Sequence, residues 1–68
     1  MASMLEYIKI ILQKVSFDRR LFEKELRKAI RMLMPAEVKR LRNWCYENYG
    51  AVHLTVLNNC FPLPSTLG

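Results

Sequence analysis

Five cations recur at helical spacing in one stretch of the chain: Arg20, Lys24, Arg27, Lys28 and Arg31. With about 100° of rotation per residue they share an arc of about 100°, and no acid falls inside it. Such a row can follow a phosphate backbone or another anionic surface. It is equally the composition of a solvated helix face, since Lys and Arg are good helix formers. The charge is concentrated there. Residues 19–42 carry nine basic groups against Glu23, Glu25 and Glu37, a local +6, while residues 1–18 balance and residues 43–68 carry only Glu47. No DNA-reading motif accompanies the row. The Leu33-Met34-Pro35-Ala36 turn lacks the Gly often found in a helix-turn-helix, and Asn43 is the only amide on the outer face of the next helix before Asn48.

A second group is aromatic. Trp44, Tyr46 and Tyr49 crowd one short segment, where they can anchor an interface, stack on bases or fill a core. Burial per residue favours the core for Trp44. Ile10, alone among the apolar residues of its segment, falls on the polar side, and it joins Trp44, Tyr46 and Tyr49 as a candidate interface residue.

Metal and catalytic chemistry find little support. Cys45, His53 and Cys60 are separated by seven and then six residues, without the close chelating pair or the fourth ligand of a zinc site. Cys45 reads more simply as a small buried residue. Pairing Cys45 with His53 as nucleophile and base lacks a third, orienting group, because the single Asp, Asp18, is placed to cap a helix. Glu23 and Glu25 point apart on a helix, so they make no acid–base pair. Gly at only positions 50 and 68 rules out a glycine-rich phosphate loop. No catalytic residue, metal or cofactor is expected.

These groups need elements to hold them. Ser3-Met4-Leu5-Glu6 has the S-x-x-E form of a capping box, and Met4, Leu5, Ile8, Ile11, Leu12 and Val15 then share one side of a helix near 4–15. Asp18 is the N-cap of a second helix near 19–33, with Phe17 placed to staple against Phe22. Its buried stripe is Leu21, Phe22, Leu26, Ala29, Ile30 and Leu33. Pro35 stops that helix and starts a third near 36–48, with Val38, Leu41, Cys45 and Tyr49 on one face and Gly50 as its left-handed C′ residue. The short link between them makes the two helices antiparallel neighbours or a tight corner. Between 51 and 60 the alternation of Val52, Leu54 and Val56 suits a strand, while Leu54, Leu57 and Phe61 suit a helix. A lone strand would leave its ladder unpaired, which favours a short fourth helix.

The expected fold is therefore all-α: a bundle of three to four helices in one domain over 1–61, with a flexible tail over 62–68. At 68 residues the core is small, and self-association, most simply as a homodimer, would enlarge it. An apolar share of 51% is that of a folding chain rather than a disordered one. No apolar run is long enough to span a membrane, no basic segment or cleavage site marks the start as a signal peptide, and two Cys suit a reducing compartment. A cytoplasmic location follows. Apolar excess accounts for more residues than charge does, so the leading reading is a non-catalytic protein-interaction or assembly module with a protein partner. The alternative is binding of nucleic acid, or another polyanion, by the basic row. Four phosphate contacts from Arg20, Lys24, Arg27 and Arg31 would give a log–log salt slope of about −3 to −4 on duplex DNA, reduced by about one for each change to Gln. A flat salt response in a DNA-binding titration would leave the row as a solvated face.

Overall fold

The four N-terminal N–H groups of a helix lack partners within it, so helices begin where the chain supplies an acceptor. The computed structural model, which describes residues 3–61, has such acceptors at the expected places. The Ser3 hydroxyl accepts the Glu6 N–H at 3.1 Å and opens α1, Met4–Val15. Asp18 Oδ1 accepts the Arg20 and Leu21 N–H groups at 2.9 and 3.2 Å and opens α2, Arg19–Met32. Pro35 takes the first position of α3, Pro35–Tyr49. Met34 has no side-chain oxygen to offer, and only the Glu37 arm of a box forms there, accepting the Met34 N–H at 3.3 Å. A turn over 51–53 leads into α4, Leu54–Cys60. The described residues contain no strand. The tail expected over 62–68 lies outside the described residues.

Burial follows the helical period. Leu5, Ile8 and Leu12 of α1, Phe22, Leu26 and Ala29 of α2, and Leu41 and Cys45 of α3 are buried together. Val56 and Leu57 of α4, with Phe61 just beyond it, close the cluster. The strand-like alternation of 52–56 marks no face, because Val52 and Leu54 are exposed and Val56 is buried. α2 packs on α1 and α4, and α3 packs on α4 and α1. Joined only by Leu33 and Met34, α2 and α3 form a corner rather than a side-by-side pair.

Three local expectations are corrected. The Asp18 N–H bonds to the Val15 carbonyl at 3.0 Å, turning the chain so that Phe17 stands 81% exposed and no staple to the buried Phe22 forms. Leu21, placed on the buried stripe, is exposed at its edge. Gly50 is right-handed, at φ −58° and ψ −32°, because the chain continues in the helical sense and the Gly50 N–H still reaches the Tyr46 carbonyl at 3.1 Å.

Among the described residues the one buried polar side chain is that of His53. Its Nε2 lies 2.8 Å from the Ser16 carbonyl oxygen. A carbonyl only accepts, so Nε2 carries the hydrogen and donates it. The ring stacks on Phe22 at a centroid distance of 4.5 Å, and the edge of Tyr49 meets Phe22 at 5.1 Å. The imidazole thus ties the α1–α2 connection to the α3–α4 connection through the core.

Replacing His53 with Ala removes an aromatic pair and a hydrogen bond, together worth about 2–3 kcal/mol. In a domain of this size the melting temperature should fall by about 10–20 °C in thermal circular dichroism. Gly50→Ala tests packing in the opposite sense to propensity. Ala at an unobstructed site stabilises by about 0.4–1 kcal/mol. Here the added Cβ would press on the Tyr46 carbonyl oxygen, so a loss of about 1–3 kcal/mol is expected.

Candidate functional site

All five cations of the row are exposed on α2, opposite its buried face. The structure also brings acids to both of its edges. Glu23 Oε2 accepts from Arg27 Nη2 at 2.8 Å and from Arg27 Nε at 3.1 Å, while Glu25 Oε1 stands 3.5 Å from Lys28 Nζ. These pairs are half in water, where solvent screens them and they contribute little. They orient Arg27 and Lys28 without neutralising the face. Arg20, Lys24 and Arg31, along its centre, form no ion pair among the described residues. Lys24, Arg27, Lys28 and Arg31 line a shallow groove of about 260 Å³.

The aromatic candidates face inward more than outward. Tyr49 meets Phe22 and, at 5.6 Å, Trp44 in edge-on contacts. Trp44 is half-buried, with Lys9 Nζ 5.7 Å from its ring centre. Tyr46 donates its hydroxyl to Asn58 Oδ1 at 2.6 Å, and Arg42 lies over its ring at 5.1 Å. These contacts join α3 to α1 and α4, so the three rings serve the bundle first. Ile10 is 46% exposed but lines neither the cationic groove nor the two apolar grooves described below.

The exposed apolar surface lies elsewhere. Met4, Tyr7, Ile8, Ile11 and Leu12 of α1 face Ala29 and Met32 of α2 across a groove of about 240 Å³, with Glu25 and Lys28 on its α2 lip. Met4, Tyr7 and Met32 are 45%, 58% and 56% exposed. The signal for this groove was faint in the chain itself. Met4 belongs to the apolar stripe of α1, but Tyr7 and Met32 sit beside their stripes, and only the α1–α2 packing brings them together. A second apolar groove, about 430 Å³, is lined by Ile30, Pro35, Val38, Lys39, Arg42, Cys60 and Phe61. It borders Phe61, the last described residue.

Cys45, His53 and Cys60 do not form a reactive set. Cys45 is fully buried, and burial pushes its thiol up to about 12, with nearby Cys60 adding to the rise and Lys9 opposing it. Burial also raises the Cys60 thiol, against the pull of Arg27. His53 gives Nε2 to Ser16, and its Nδ1 has no hydrogen-bond partner among the described residues. No cluster of three His, Cys, Asp or Glu that could hold a metal occurs among the described residues, and no helix there is long and apolar enough to cross a membrane.

No family model, curated protein or solved structure matches this chain.

The two thiols give a direct check on this core. In the native protein iodoacetamide should modify Cys60 slowly and leave Cys45 untouched until unfolding, as read by intact mass; equal, fast labelling of both would contradict the packing. The unfolded Cys45 ionises near its ordinary 9.0, whereas the folded one holds its proton to about 12. The native state thus binds more protons over that interval, so stability should fall as pH rises from about 9 to about 12. Cys45→Ala should remove that part of the alkaline decline.

Proposed function

We propose that this chain is a small, non-catalytic protein-interaction module that receives the apolar face of a partner helix in the groove between α1 and α2. The observation that carries this reading is the exposure of Met4, Tyr7 and Met32 along one concave seam. Packing does not require it, since Leu5, Ile8, Leu12 and Leu26 already fill the layer beneath. Exposed apolar side chains that cluster, rather than scatter, mark interaction sites. Methionine suits such a seam because its unbranched thioether adapts to varied partner side chains. A groove of about 240 Å³ is small for an organic cofactor, whose pockets start near roughly 300 Å³, yet it fits a few side chains at helical spacing. Polyanion binding has less support, because Glu23 and Glu25 stand at both edges of the cationic row.

The four methionines provide the readout. With methyl-labelled protein, an 18-residue helical peptide carrying leucines at i, i+3, i+4 and i+7 and glutamines elsewhere should shift the Met4 and Met32 methyl signals. Met34, exposed but away from the groove, should stay in place. Met32→Lys should weaken binding at least tenfold without loss of helicity. A second copy of the chain filling the groove would appear in sedimentation as a dimer that Met32→Lys dissociates. No methyl shift and no such dimer would remove this function.

A further inference from the structure

We infer that the partner helix of this groove is acidic along one flank. The inference rests on the docking reading above and concerns what lies beside the groove. Lys28 belongs to two surfaces at once: it lines the apolar groove with Met32, and it lines the adjoining cationic groove with Lys24, Arg27 and Arg31. The two lips are therefore unlike. The α1 side of the groove is lined by apolar and aromatic side chains only, whereas the α2 side carries Glu25 and Lys28 and passes through Lys28 into the positive face. A helix lying in the seam would place its apolar stripe on Met4, Tyr7 and Met32, and one flank over Lys24, Lys28 and Arg31.

Those three cations stand at i, i+4 and i+7 and rise about 10 Å along α2. A partner helix running beside them presents carboxylates at the same interval when Glu or Asp recur at i, i+4 and i+7. The Lys28–Glu25 contact, at 3.5 Å and exposed, is loose enough to exchange for a carboxylate of the partner. Lys24 and Arg31 have no ion pair to give up among the described residues.

Charge complementarity selects this occupant over the others. A second copy offers no such flank: in α1 Glu6 is outnumbered by Lys9 and Lys14, α2 is basic, and Glu37 and Glu47 of α3 are outnumbered by Lys39, Arg40 and Arg42. A duplex offers phosphates but no apolar stripe for Met4, Tyr7 and Met32.

Three versions of the 18-residue leucine peptide test this by fluorescence anisotropy, with Gln, Glu or Lys at the flank positions i, i+4 and i+7. The expected order of affinity is Glu over Gln over Lys. Three exposed pairs should separate Glu from Gln by about tenfold at low salt, and the gap should close at high salt. In the triple variant Lys24→Gln, Lys28→Gln, Arg31→Gln, the Glu and Gln peptides should bind alike while the Gln peptide keeps its affinity. Equal binding of Glu and Gln peptides by the unaltered protein, or preference for Lys, overturns the acidic flank and leaves the groove reading standing. So does tighter binding to a 20-base-pair duplex or to phosphatidylglycerol vesicles that the triple variant abolishes. Failure of all three peptides to bind removes both the groove reading and the inference built on it.

Discussion

The hydrogen bond from His53 Nε2 to the Ser16 carbonyl is the point on which the arrangement of helices turns. Ser16 is the C-cap of α1, and its carbonyl is one of those a helix end leaves without an internal partner. His53 supplies the donor from the far end of the chain and simultaneously lays its ring on Phe22. Its backbone also continues the path from α3 to α4, with its N–H on the Tyr49 carbonyl at 2.8 Å and its carbonyl accepting from Leu57 at 2.9 Å. One residue thus fixes where α1 ends, where α4 begins and how α2 lies between them. In a chain with so small a core, a polar residue in the middle is tolerable only because its donor is satisfied and its ring faces are packed.

The groove follows from the direct packing of α1 against α2. Leu5, Ile8 and Leu12 of α1 reach the core, and the adjacent line of Met4, Tyr7 and Ile11 overhangs the α2 surface at Ala29 and Met32. Ala29 is small enough to leave a hollow there. A larger residue would fill it and close the seam. The hollow is thus lined by the one small side chain in a stripe otherwise made of Phe, Leu and Ile.

Much of this was readable in the chain because it is decided locally. Ser3, Asp18 and Pro35 act within one helical turn, so α1, α2 and α3 begin within a residue of the places their spacing predicts. What was not readable depends on partners remote in sequence. The staple of Phe17 on Phe22 is locally sound, but the turn is held by the Val15 carbonyl, and Phe22 is taken by Tyr49 and His53 instead. The cations could be placed on one arc from periodicity alone. The Glu23–Arg27 pair follows from i,i+4 spacing, whereas the reach of Glu25 in to Lys28 is a matter of side-chain length, which an angular plot omits. Tyr7 and Met32 are hidden for a related reason. Each flanks a stripe, and a flank becomes a groove wall only when the crossing of two helices is known.

The aromatic cluster shows why composition alone is a poor guide to an interface in so small a domain. Trp44, Tyr46 and Tyr49 have the residue types of a binding hot spot, yet every ring has a partner within the bundle: Phe22, Lys9, Asn58 or Arg42. A chain of this length hides only about 60% of the surface it exposes when unfolded, so its large rings are needed to bind helix to helix. The apolar residues left on the outside include Met4, Met32 and Met34, with Tyr7 and Phe17 the exposed rings. Methionine and tyrosine at the α1–α2 seam fit that division: one adapts its shape, and the other keeps a polar tip in water. Next to them α2 carries cations whose ion pairs among the described residues are weak and exposed. An apolar seam beside an incompletely neutralised positive flank is an arrangement that folding does not need, and a partner of opposite pattern would complete both halves together.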